Sequence, residues 1–105
     1  MCGELCVVKI LPPVHPGAIL REEFIEPLGL TAGQVAKACG ITRTRIERIV
    51  SEQIGISGDT ALRLGRLFGT SPQFWMNLQQ HYLLERARIA IGDAVEEITP
   101  LNRAA

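Results

Sequence analysis

The middle of this sequence contains two short helical segments separated by a single glycine turn. Thr31 is a good N-cap residue for the first segment, which stops at Gly40, and Thr42 is a second N-cap eleven residues after Thr31. The second segment runs to Val50. Two short helices joined by a turn with one glycine are an unusual layout, and this layout constrains the fold more than any other feature of the chain.

The residue types in these segments fit two helices that cross steeply. Ala36 supplies the small side chain that a close crossing needs, and Gly40 accepts the positive φ of a tight turn. The apolar residues fall at positions that face a helix behind the pair: Val35, Cys39, Ile41, Ile46 and Ile49. Residues 31–50 are therefore predicted to form a helix-turn-helix unit.

Prolines and caps divide the rest of the chain into further helices. Pro16 and Pro27 bound a helix at about 16–26. Another helix follows the cap Ser57 and ends at about residue 69, and the longest one follows Ser71 and ends at about residue 91. The proline pair at 12–13 ends an extended arm. We predict an all-α fold of five helices, with an arm at 1–14, a helix-turn-helix domain at 15–91 and a tail at 92–105.

Length and composition limit the class of protein. At 105 residues the chain makes one domain, and no window is apolar and long enough to span a membrane. The N-terminus lacks the basic start and the cleavage site of a secretory signal, and three cysteines favour reduced thiols. We therefore expect a cytoplasmic protein without a membrane partner.

Charge is distributed unevenly, although the formal net charge is zero. Residues 31–69 carry six basic and three acidic side chains, whereas the flanking segments are net acidic. A basic middle between acidic flanks indicates one surface that can face a polyanion.

The outward positions of the second helix indicate what that polyanion is. Arg43, Thr44, Arg45 and Arg48 remain outside once the apolar residues face inward. Arginine at the start of a helix in the major groove can pair with guanine, and threonine can contact a base edge or a thymine methyl. Four further residues are expected at helix caps and phosphates, where they set the register of the protein on the duplex: Thr31, Lys37, Thr42 and Arg45. The alternative is an ordinary pair of packed helices whose arginines are solvated.

Six short runs of the chain together resemble a known family. The runs 30–36, 40–42 and 46–49 look like the helix-turn-helix of phage repressors, and HPGAILREEF (15–24), DTALRL (59–64) and GTSPQFWMNLQ (69–79) flank them in order. The whole of 12–84 is similar to the HigA antitoxins, also described as virulence-associated protein I. The tail from Arg86 onward matches less well, and position 32 is Ala where many repressors have glutamine.

The resemblance implies a fold and a function. It implies a five-helix, lambda-repressor-like domain with a C-terminal helical extension. It also implies a homodimer that binds double-stranded operator DNA, represses its own operon and neutralises an mRNA-cleaving toxin of the HigB type. The repressor pattern assigns the base contacts to Arg43, Thr44 and Arg48, with Thr42 at the cap. A stand-alone regulator, or an interaction module of the same fold without a toxin, is the alternative.

Most of the aromatic residues lie on the last predicted helix, in a stripe formed by Phe74, Trp75, Leu78 and Tyr82. This stripe either closes the core or forms part of a dimer or partner surface, since Trp and Tyr are favoured there. The acidic run at 93–98 is either a solvated end or a site for a basic toxin.

Enzymatic and metal-binding functions have little support. His15 and His81 are far apart, and Cys2 and Cys6 have no matching second pair of ligands. No nucleophile with an adjacent base and no glycine-rich phosphate loop is identifiable. We expect neither catalysis nor a metal or other cofactor.

Overall fold

The computed structural model describes residues 13–101, and all its regular elements within that range are helical. Helix α1 comprises Pro16–Ile19 and continues as a π-helical segment, Leu20–Ile25. It is followed by α2 (Ala32–Cys39), α3 (Arg43–Val50), α4 (Gly58–Phe68), α5 (Pro72–Ile91) and a 3-10 segment, Gly92–Glu97. The all-α, five-helix prediction is confirmed. The predicted arm before Pro13, with Cys2 and Cys6, and the end of the tail after Leu101 lie outside the described residues.

Capping side chains set the ends of the helix-turn-helix unit. The Thr31 hydroxyl accepts the Gln34 amide (3.1 Å), and the Gln34 side-chain oxygen accepts the Thr31 amide (2.8 Å), which makes a capping box. The Thr42 hydroxyl accepts the Arg45 amide (3.2 Å) and starts α3. Gly40 has φ 72°, as the tight turn between α2 and α3 requires.

The remaining caps confirm most of the other predicted boundaries. Ser57 and Ser71 cap α4 and α5, and Gly69 ends α4 at φ 71°. In α1 the predicted extent is correct but the hydrogen bonding differs, because the Glu26 amide donates to the carbonyl of Arg21, five residues earlier.

The core lies where the five helices converge. Ala36 and four of the five residues predicted to face inward are buried, and Ile41 is half-buried. Burial raises the pKa of the Cys39 thiol, which is a core side chain as expected. The centre of the core is occupied by these almost fully buried side chains: Leu20, Ile46, Ile49, Leu64 and Trp75.

Trp75 decides between the two interpretations of the aromatic stripe. Its exposed fraction is 0%, its indole N–H donates to the Thr70 hydroxyl (2.8 Å), and its ring packs 5.0 Å from Phe24 and from Phe74 between centroids. Trp75 is therefore a core residue, and the expectation of a partner surface at this position is wrong. The other three members of the stripe are half-buried.

Helix α1 supports α3 from behind at very short range. A Cβ atom on Gly17 would lie 1.7 Å from the carbonyl oxygen of Ile49, so only glycine permits this approach. The last turn of α3 is thereby placed against the first turn of α1. No helix in residues 13–101 is both long enough and apolar enough to cross a membrane.

Candidate nucleic-acid interface

Helix α3 has one apolar face inside the molecule and one charged face outside it. Ile46 and Ile49 are fully buried, whereas Arg43, Thr44 and Arg48 are exposed. The structure thus brings the three residues predicted to contact bases onto one outward face. The helix has eight residues and is about two turns long. A surface of this size fits the major groove of B-DNA.

Glu47 belongs to the same outward face, and the sequence analysis did not select it. Its carboxylate oxygen accepts a hydrogen bond from the Nε–H of Arg43 at 2.8 Å. Both side chains remain open to solvent, with exposed fractions of 73% for Arg43 and 47% for Glu47. The spacing of four residues is the signal that indicates such a pair. Arg48 has no ion pair within residues 13–101.

The starts of α2 and α3 lie next to each other. A Cβ atom on Gly33, in the first turn of α2, would lie 3.7 Å from Cδ of Arg43, the first residue of α3. Helix starts present free amides and a partial positive charge, both of which favour phosphate. Thr31 and Thr42 are at these starts as predicted, with their hydroxyl oxygens in the caps, and Lys37 is exposed on α2.

Arg45 lies at the inner edge of the charged face and connects helices. It pairs with Asp59 on α4 (3.0 Å), and the same carboxylate oxygen accepts from Arg63 (3.0 Å). Arg63 also donates to the carbonyl of Cys39 at the end of α2 (2.7 Å). The hydrogen bonds from Arg63 and then Arg45 lower the pKa of the Asp59 carboxyl. Arg45 was predicted at a phosphate, but its side chain joins a network that fixes α2, α3 and α4.

A second arginine that the sequence analysis missed lies at the other end of α3. Arg21 of α1 donates to the carbonyl of Val50 and pairs with Glu52 at 3.5 Å. Glu52 follows α3 with φ 66°, the one positive φ outside glycine in the described chain. The guanidinium satisfies a carbonyl at a helix C-terminus and places positive charge where the helix dipole favours it.

Gln79 fixes the loop that follows α3. This α5 side chain is buried, and its oxygen accepts the amide of Ile56 at 2.6 Å. A Cβ atom on Gly55 would lie 2.5 Å from that oxygen, so the loop passes close over Gln79. The contact spans 23 residues of sequence, and no local pattern indicates it.

His15 connects α1 with α5. Its Nδ1 accepts the Gly17 amide (2.9 Å) and caps α1, and its ring packs edge-on against Tyr82 with 4.7 Å between centroids. Burial lowers the pKa of His15, as does Arg86 to a smaller extent, while Glu52 opposes the change. The ring is therefore neutral near pH 7, as an acceptor Nδ1 requires.

Ion pairing reduces the free positive charge of the basic middle segment. Arg43 pairs with Glu47, and Arg45 and Arg63 share Asp59. Within the part of the chain that the structure describes, the basic residues of 31–69 without an ion pair are Lys37, Arg48 and Arg66. The surface suits selective binding of nucleic acid better than indiscriminate binding.

Known proteins resemble this chain in sequence and in structure. The helix-turn-helix family HTH_3 matches residues 20–75. Virulence-associated protein I of Dichelobacter nodosus is 52% identical over 77 residues, which are 73% of this chain and 71% of that protein.

Two solved structures share the fold at high identity. One is the Pseudomonas aeruginosa antitoxin HigA with the higBA promoter, with a TM-score of 0.81 and 47% identity, covering 86% of this chain and 99% of that one. The other is an addiction module antidote protein of the HigA family from Coxiella burnetii, with a TM-score of 0.82 and 40% identity, covering 87% and 100%. The chain therefore belongs to the helix-turn-helix family and, within it, to the HigA antitoxins.

Proposed function

We propose that this chain is the antitoxin of a toxin–antitoxin pair, which binds operator DNA as a homodimer in the cytoplasm and represses its own operon. The observation that carries the proposal is the outward face of α3, where Arg43, Thr44 and Arg48 are exposed together and Arg43 lies beside the start of α2. A related HigA from Pseudomonas aeruginosa was solved with the higBA promoter.

The roles of the site residues follow from their chemistry and exposure. Arg43 and Arg48 pair with guanine in the major groove, and Thr44 contacts a base edge or a thymine methyl. Lys37 contacts phosphate, and the amides at the starts of α2 and α3, which Thr31 and Thr42 cap, do the same. Arg45 serves DNA binding indirectly, because its pair with Asp59 holds α3 against α4.

Dimerisation is part of the proposal, since α3 alone covers too few base pairs for useful specificity. The apolar side chains available for a second copy lie at the end of α5 and beyond it. They are exposed in the chain: Leu84, Ile91, Val95, Ile98 and Leu101. We propose that these residues face the second copy, together with three half-buried residues nearer the start of α5: Phe74, Leu78 and Tyr82. Two subunits related by a twofold axis then match a palindromic operator.

Toxin neutralisation is the second activity in the proposal. Its support is membership of the HigA family, and the partner is an mRNA-cleaving toxin of the HigB type encoded next to this gene. The exposed carboxylates of Asp93, Glu96 and Glu97 suit a basic partner. Co-expression with the product of the neighbouring reading frame tests this activity. Rescue of growth supports the proposal, and a lone gene or an inert neighbour supports a stand-alone regulator.

Operator binding is tested by fluorescence anisotropy with duplex DNA from upstream of this gene and with a scrambled duplex. We expect Arg48→Ala to weaken operator binding by about 1–3 kcal/mol and to reduce the preference at one base pair. We expect Lys37→Ala to weaken binding to both duplexes alike and to flatten the salt dependence. Equal affinity of the unmodified protein for the two duplexes would contradict the proposal and favour an interaction module.

A further inference from the structure

We infer that Glu47 is a positioning residue for base recognition, which holds the Arg43 guanidinium so that its two terminal amino groups face a guanine. The inference rests on the proposed binding of operator DNA and adds a residue to it. It concerns specificity, because Glu47 acts through Arg43 rather than through its own contact with DNA.

The geometry of the Arg43–Glu47 pair suits this role. The carboxylate accepts from Nε of Arg43, and this is the one side-chain hydrogen bond of Arg43 within residues 13–101. Both terminal amino groups are therefore left free. A guanidinium that is bound at Nε can still donate two parallel hydrogen bonds from its far end, which match O6 and N7 of guanine.

The pair also reduces the conformational entropy that Arg43 loses on binding. Arginine is long and flexible, and an exposed arginine must lose rotamer freedom when it binds a base. Arg43 is held in the free protein by a residue one turn along the same helix. Part of that cost is therefore met before DNA binds, which favours the correct base over a loose phosphate contact.

The location of the Glu47 carboxylate supports the same role. Glu47 is exposed on the face that meets a polyanion, where a negative charge opposes binding. An exposed pair at this spacing contributes little to helix stability, so stability does not account for its presence. The Asp59 carboxylate, in contrast, connects α3 with α4. The Arg43–Glu47 pair connects no two helices, and its remaining function is to orient Arg43.

The test is selection of preferred duplexes from a random DNA library by four proteins: the unmodified chain, Arg43→Ala, Glu47→Ala and the double variant. We expect Arg43→Ala and Glu47→Ala to lose preference for the same guanine, by about tenfold in relative affinity. In the double variant we expect no further loss, because Glu47 has no effect without Arg43. Affinity of Glu47→Ala for a scrambled duplex should rise, since a negative charge is removed.

Two further variants separate the orientation of Arg43 by Glu47 from the effect of the negative charge of Glu47. Glu47→Gln keeps an oxygen that accepts from Nε, so we expect it to restore most of the guanine preference. Glu26→Ala removes an exposed carboxylate at the end of α1 and should leave the preference unchanged. Circular dichroism of each variant, with an unchanged melting temperature, excludes misfolding as the cause.

Three outcomes would overturn the inference. Unchanged preference in Glu47→Ala would show that Arg43 needs no support. Loss of preference at a different base pair from Arg43→Ala would show that Glu47 contacts a base itself, as carboxylates can at cytosine. If the unmodified chain selects no sequence, operator binding itself fails and the inference fails with it, a result distinct from the other two.

Discussion

The helix-turn-helix unit and the C-terminal end of the chain differ in how completely their apolar side chains are buried. Helices α2 and α3 have eight residues each, yet both are capped, and their apolar side chains are buried by α1, α4 and α5. The end of α5, the 3-10 segment and the residues that follow it instead expose apolar side chains, with Ile98 68% and Leu101 86% exposed. The first region is buried within one chain, whereas the second leaves apolar side chains open to solvent, where our proposal places a second copy.

This difference predicts where mutations act. Changes in the first region should alter the free energy of unfolding of a single chain. Changes in the second should alter self-association and leave the single chain folded. The following variants test the comparison in order of decreasing effect.

The largest effect is expected for Trp75→Ala. The side chain is fully buried at the centre of the core, and its removal leaves a cavity as well as an unpaired Thr70 hydroxyl. We expect the free energy of unfolding to fall by about 3–5 kcal/mol. Urea denaturation followed by circular dichroism measures it. If the loss of unfolding free energy disappears when the protein is diluted, Trp75 lies at an interface between chains and is not a core residue.

Gly17→Ala should act on the contact between α1 and the end of α3. The added Cβ would meet the Ile49 carbonyl at 1.7 Å, so one helix must move. We expect a loss of about 1–3 kcal/mol in stability, with weaker operator binding at temperatures where the variant is still folded. Gly58→Ala is the matched control, because a Cβ there meets nothing within 4 Å. Equal effects of the two variants would contradict the importance of this contact.

Ile98→Asp tests the C-terminal region. In the proposed dimer, the new carboxylate of each copy is removed from water beside apolar side chains of the other copy. We therefore expect the dimer dissociation constant to rise at least about tenfold. Sedimentation at several concentrations measures the change. The melting temperature of the dilute protein should stay the same. Glu96→Asp, which keeps the charge in the same segment, is the control, and unaltered association of Ile98→Asp would place the dimer elsewhere.

The sequence predicted this molecule well where interactions are local. Caps at Thr31, Thr42, Ser57 and Ser71 act within three residues, and apolar periodicity acts within two turns, so the helices and the outward face of α3 were found. The contacts that hold α3 in place were missed. Arg21 reaches the carbonyl of Val50 over 29 residues, and only the fold brings them together.

Arg45 shows the same limit within the site. Periodicity placed it at the edge of the outward face, but its partner Asp59 is 14 residues away on another helix. Its role as a connection between helices therefore depends on the angle between α3 and α4, which no local pattern contains. The π-helical hydrogen bonding of α1 is a similar case, because apolar spacing does not distinguish it from an α-helix.

The smallest effect is expected from the titration of His15, which contacts both the first helix and α5, the helix that leads to the C-terminal end. Its Nδ1 caps α1 in the first region, and its ring contacts Tyr82 of α5, the helix that leads to the second. Burial lowers the pKa of His15 in the folded chain below 6.5, with Arg86 acting in the same direction and Glu52 against it. The unfolded chain therefore binds the proton first as pH falls. The stability that His15 contributes is complete above about pH 6.5 and decreases between that pH and the lower pKa of the folded state.

Urea denaturation from pH 8 to pH 5 measures the slope of the unfolding free energy against pH. His15→Asn keeps an oxygen that can cap α1 and removes the titration, so we expect its slope to be smaller. The control is His81→Asn, which makes the same exchange at an exposed position within α5. An identical slope in all three proteins would mean that protonation of His15 is not linked to unfolding, and that the cap on α1 does not depend on a neutral ring.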